Sequence, residues 1–117
     1  MCTTRDVGEL FLDKSDELVL AFDAIMTTVM GWEPNYMGAS IHSVVFTNRK
    51  AWLIVKPMKK ELDIKFYYPE RIDSDQIHRY VAYPNKIAHH LRVKEAYEID
   101  QAVISLLRKG YDYALYG

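Results

Sequence analysis

ELDIKFYY, residues 61–68, decides how this chain is read. Leu62, Ile64, Phe66 and Tyr68 alternate with Asp63, Lys65 and Tyr67. A period of two sends one set to each face of a strand and fits no helix. Upstream, AWLIVKP (51–57) is β-branched and aromatic and ends at Pro57, with MKK (58–60) as the tip between the two strands. SIHSVVFT (40–47) reads as a strand as well, joined through the turn TNRK. Connections this short link antiparallel neighbours, so the three strands form a meander.

The period changes on either side. DKSDELVLAFDAIMTTVMGW (13–32) is a helix in which Leu18, Phe22, Ile25 and Val29 share a face. Ser15 is its expected N-cap, Asp16 and Glu17 suit its first turn, and Gly31 is a natural stop. Thr4 to Leu12 has room for a helical turn or two, and EPNYMG (33–38) reads as a loop. After the meander, Asp73 or Ser74 is positioned to cap a short helix through Ile77 and Val81, which the YPN at 83–85 breaks. KIAHHLRV (86–93) is a fourth strand. EAYEIDQAVISLLRKGYDYAL (95–115) is a helix with Ile99, Val103, Leu106, Gly110 and Tyr113 down one side.

The expected fold is therefore α+β: a four-stranded, mostly antiparallel sheet with two long helices packed on one face, in two layers and a single domain over residues 1–117. Half of the 117 residues are hydrophobic, enough for a core without staples. The single cysteine, Cys2, allows neither an internal disulfide nor a thiolate cluster, which suits a reducing, cytoplasmic setting. MCTTRDVGEL carries acids where a secretory signal needs an apolar run. The apolar run Leu18 to Phe22 is far short of the roughly 20 residues of a membrane span. No membrane partner and no cofactor are expected.

Net charge is −1, but its distribution is uneven. Residues 1–48 sum to −5, residues 49–94 to +6 and residues 95–117 to −2. The basic block lies in the strands and the acidic blocks lie in the helices. If the helices cover one sheet face, the other is left open and positive.

Within IAHHLRV, Ile87, His89, Leu91 and Val93 share one strand face, and Ala88, His90 and Arg92 share the other. The apolar set belongs against the helices, so His89 is expected in the core and His90 and Arg92 outside it. There Arg92 offers a planar fork suited to phosphate or carboxylate. Lys56, Lys59, Lys60 and Lys65 lie along the neighbouring hairpin with Arg49 and Lys50. Such lysines commonly do no more than keep an edge strand soluble; read functionally, they contact phosphates. Tyr67, Tyr68, Tyr80 and Tyr83 are candidate stacking surfaces for unpaired bases. There is no Gly-rich phosphate loop, no GxSxG and no HExxH. His42 and His78 have no spacing to His89 or His90 that forces a metal site, so neither a catalytic nor a metal residue is assigned.

The order of segments also resembles the bacterial and archaeal family known as domain of unknown function 5655. The likeness is carried by DKS at Asp13 to Ser15, by VVFTNRKAWLIV followed by KKELDIKFYY, by HHLRV at His89 to Val93, and by the helix beginning near Asp100. It spans about residues 10–115. It implies no settled activity; members occur alone or joined to endonuclease-like domains, and some carry a "predicted transport protein" label. The family pattern has a small or acidic residue before the last helix, where this chain has Lys94 and Glu95.

Three functional expectations follow. The first is a non-catalytic accessory module for an anionic partner, nucleic acid foremost, using Lys56, Lys59, Lys60, Lys65, His90 and Arg92. The second is a protein-interaction or homodimerisation domain, favoured if Trp52, Ile54 and Tyr67 leave the second sheet face apolar. The third, ranked last, is a small-molecule or enzymatic role with His89 or His90 as acid or base.

Overall fold

The computed structural model describes residues 7–116. Cys2 and the beginning of the Thr4–Leu12 expectation lie outside the described residues; the remainder contains one helical turn, α1 (Val7–Leu10). Helix α2 (Asp16–Val29) starts as its sequence dictates, with Ser15 Oγ accepting from the Leu18 N–H at 3.3 Å. Its end does not use a left-handed glycine, since no described glycine has positive φ. Instead the Trp32 N–H and Asn35 Nδ2 both donate to the Val29 carbonyl, at 3.0 and 2.9 Å.

The sheet has six strands, not four: β1 (Tyr36–Ala39), β2 (Val44–Thr47), β3 (Ala51–Pro57), β4 (Leu62–Tyr68), β5 (Arg79–Ala82) and β6 (Ile87–Val93). All neighbours are antiparallel, in the order β1-β2-β3-β4-β6-β5. Both additional strands are four-residue edges. β1 falls in the stretch read as a loop, where Pro34, Asn35 and Gly38 look like turn residues; pairing of Met37 with Phe46 holds it extended. β5 replaces the expected short helix. Ser74 caps only a local turn, accepting from Gln76 N–H at 3.1 Å, and the chain then extends to pair Arg79 with His90 and Val81 with Ala88. Tertiary pairing overrode a genuine capping signal at 73–74.

Asp100 Oδ1 caps α3 (Gln101–Tyr116), accepting from the Val103 N–H at 3.0 Å. Residues 95–99, expected within that helix, form a separate 3-10 turn, Ala96–Glu98. Glu98 Oε2 reaches back to the Lys94 and Glu95 N–H groups at 2.8 and 2.9 Å. With the helix starting at Gln101, the residue before it is the acid Asp100, so the doubt that Lys94 and Glu95 raised over the cap of the last helix is resolved.

One apolar cluster joins these elements. It takes Leu18, Phe22 and Ile25 from α2, Val103, Leu107 and Tyr111 from α3, and alternate strand residues such as Phe46, Val55, Ile64, Phe66 and Leu91. Burying this many large side chains, each worth about 1.5–3 kcal/mol, is the main stabilising term. Trp52 belongs to it too. A register shift between Phe46 and Thr47 breaks the alternation, and Trp52, adjacent to buried Leu53, is itself buried. Its ring packs edge-on to Tyr111 at 5.3 Å, and its Nε1 donates to Asn35 Oδ1 at 3.1 Å. No helix among the described residues is long and apolar enough to cross a membrane.

Candidate functional site on the second sheet face

Alternation defines the second face. Val45, Ile54, Ala88 and Val81 are absent from the core cluster, although each is adjacent in its strand to a residue facing the helices. Across this face the register builds three rows. The first runs Val45, Ile54, Lys65, His90, Arg79. The second runs Lys56, Asp63, Arg92. The third runs Tyr67, Ala88, Val81.

The second row is internally neutralised. Arg92 Nε donates to Asp63 Oδ1 at 2.8 Å, and its Nη1 donates to Glu61 Oε2. His90 Nδ1 lies 3.1 Å from Asp63 Oδ2. Since a carboxylate only accepts, Nδ1 carries the proton. These hydrogen bonds hold the proton of Arg92 more firmly than usual, Asp63 first and Glu61 second. His90 moves the other way. Burial pushes its pKa down, Asp63 opposes this, and Arg79 and Lys65 add to the depression. The imidazole is therefore neutral at pH 7. The residue is buried, 6% exposed, and its Nε2 has no hydrogen-bond partner among the described residues while keeping a small solvent-accessible surface.

The first row is not neutralised. Lys65 and Arg79 flank His90 with no acid between them. None of Lys56, Lys65, Arg79 and Lys86 is in an ion pair among the described residues. Lys65 and Lys86 instead stand over the Tyr67 ring, at 5.5 and 4.1 Å from its centroid, and Tyr83 meets that ring edge-on at 6.3 Å. On the far side, Tyr36, Gly38, Val45 and Thr47 border a shallow open trough.

The residues expected to bind an anion thus divide three ways. Lys56, Lys65, His90 and Arg92 share this face, and Arg92 is occupied by two carboxylates. Lys59 and Lys60 are exposed at the β3–β4 turn, closed by Met58 N–H to Glu61 C=O at 2.8 Å. The aromatic candidates also separate. Tyr67 and Tyr83 pair here, whereas Tyr68 and Tyr80 pack around His89 on the core side. His89 is fully buried: its Nδ1–H meets the Ile87 carbonyl at 2.9 Å and its Nε2 accepts from Ile72 N–H at 3.1 Å. Among the described residues no group of three His, Cys, Asp or Glu could hold a metal ion.

Arg79 and Lys86 were not singled out from the sequence. The signal for them exists. YPNK at 83–86 is a hairpin turn between RYVA and IAHHLRV, closed by Tyr83 N–H to Lys86 C=O at 2.8 Å. Reading it as a helix breaker hid the strand that carries Arg79.

A family model described as Domain of unknown function (DUF5655) matches residues 7–114. No curated protein and no solved structure matches the chain.

Proposed function

The chain belongs to the DUF5655 family, whose function is unknown, and from that premise we propose that its second sheet face binds single-stranded nucleic acid, chiefly through the phosphate backbone. The observation that carries the reading is the convergence of Lys65, Arg79 and Lys86, from two strands and a turn, on one face without an ion pair among the described residues, with Lys56 beside them opposite Asp63. Such a group repels itself, and a polyanion relieves the repulsion. Tyr67 and Tyr83 beside it supply π-faces for unpaired bases once their lysines turn to phosphate, which suits a single strand better than a duplex. Lys59 and Lys60 extend the path past the sheet end, while Arg92 and Asp63 hold His90 in place. No covalent step is part of this reading.

The test is a titration of labelled single- and double-stranded oligonucleotides at low and at physiological salt. The single strand binds more tightly, and affinity falls steeply with salt. Absence of binding at low salt removes the proposal.

A second reading has its own observation. Edge strand β1 and the turn after it expose Tyr36 by 67% and Ile41 by 64% of their surface. An apolar edge invites strand addition by a protein partner or a second copy. Trp52 gives this reading no help, because it is in the core. Sedimentation equilibrium decides it: a monomer at high concentration counts against self-association.

A further inference from the structure

We propose that Lys65, His90 and Arg79 form one phosphodiester-binding site in which His90 Nε2 takes up a proton from solvent as the strand binds. This rests on the nucleic-acid reading of the sheet face and goes beyond it, because it makes the binding proton-coupled.

The geometry sets the requirement. Asp63 holds His90 by Nδ1, so the ring cannot turn that proton toward a ligand. The other ring nitrogen, Nε2, then carries a lone pair in the neutral imidazole and keeps only slight solvent contact, His90 being 6% exposed, so a phosphate meets it at the edge of the ring. A phosphodiester has acceptors only, so a lone pair facing it repels it. Protonation at Nε2 converts that contact into a charge-assisted hydrogen bond and puts a third cation between Lys65 and Arg79. In the free protein this proton is resisted by burial and by the two flanking cations. A bound phosphate cancels the cations' opposition. The groups facing the ring are Asp63 and Lys65 on β4, Arg79 on β5, and Arg92, which shares Asp63 with it, on β6. His78 touches it only through the backbone, its N–H donating to the His90 carbonyl at 2.6 Å.

The probe is a short oligothymidylate carrying a rhodamine label, chosen because thymine does not titrate in the range. Anisotropy is measured at low salt from about pH 8 to 5.5, across the ordinary histidine range. The wild type tightens as pH falls, by at most about tenfold per unit for one proton. His90→Gln keeps a polar group and abolishes the dependence; His78→Gln retains it. Calorimetry of the wild type in two buffers of different ionisation heat counts the proton directly and needs no variant to fold. Uptake approaching one proton supports the site. Zero uptake, or an unchanged pH dependence in His90→Gln, overturns the proton-coupled site and leaves the sheet-face reading standing. No binding at any pH overturns both.

Discussion

Gly110 meets Phe66 across the α3–β4 contact with no room for a methyl group: a Cβ at position 110 would fall 2.8 Å from Phe66 Cδ2 and 3.0 Å from its Cβ. Phe66 cannot retreat, because it is fully buried and its other neighbour is the His89 ring, stacked at 5.1 Å. Gly110→Ala therefore sets two effects against each other. Helix propensity favours alanine by about 1 kcal/mol. Overpacking a filled core costs about 1–3 kcal/mol. The expected net is a loss of up to about 2 kcal/mol, read as a lower urea midpoint at unchanged slope. A more stable variant would show that the helix–sheet contact is looser than described.

Asp63 separates stability from binding. It accepts from Arg92 and His90 on a face where its side chain is only 13% exposed. Asp63→Ala leaves both partners short of an acceptor and costs about 1–3 kcal/mol. The same change removes a negative charge and releases one of the two carboxylates on Arg92, so polyanion affinity rises. Falling stability with rising affinity, measured by urea titration and by anisotropy, is the expected pair. A parallel fall in both would mean that the hold of Asp63 on His90 matters more to the strand than the negative charge it removes.

Much of this architecture is legible in the residues, and the gaps have physical causes. The alternation from Leu62 to Tyr68 and the spacing of Leu18, Phe22, Ile25 and Val29 report burial directly, so β4 and α2 are readable. Tyr36–Ala39 is extended because a partner strand lies alongside, which no local signal records, whereas Arg79–Ala82 is announced only by the YPNK turn that follows it. Trp52 has the face of a surface residue by alternation and reaches the core through a bulge, which is a feature of pairing. His89 and His90 separate correctly because a strand allows neighbours no other choice. That Arg92 faces Asp63 and Glu61, rather than open solvent, depends on register and was not readable from either strand alone.

His89 and His90 make acid the vulnerable side of the stability curve. Burial pushes both imidazoles below the ordinary histidine value of 6.5. The unfolded chain binds protons at about pH 6.5, and the folded chain binds them only at lower pH. Stability is thus level above that value and falls as pH drops below it, by at most about 1.4 kcal/mol per unit for each histidine. At His89 the proton would also displace the Ile72 N–H from Nε2. Urea midpoints at about pH 7.5 and 5.5 check the direction. His90→Gln keeps part of the fall, because His89 remains. A midpoint that rises on acidification would contradict the neutral state of both rings.

The salt dependence assigns each cation on the face. A contact to a single-stranded phosphate contributes about 0.7 to the slope of log affinity against log salt. Lys65→Met and Lys86→Met should each flatten the slope by about that amount, and the double variant by about twice it. Arg92→Met behaves differently. Its charge is already balanced by Asp63 and Glu61, so it releases little counterion in the wild type. Losing it exposes two carboxylates to the incoming strand, so affinity falls at low salt through repulsion while the contact count is unchanged. If Arg92→Met flattens the slope as much as Lys65→Met does, the arginine leaves its carboxylates for phosphate on binding, and the division between the paired row and the unpaired row of this sheet no longer describes the complex.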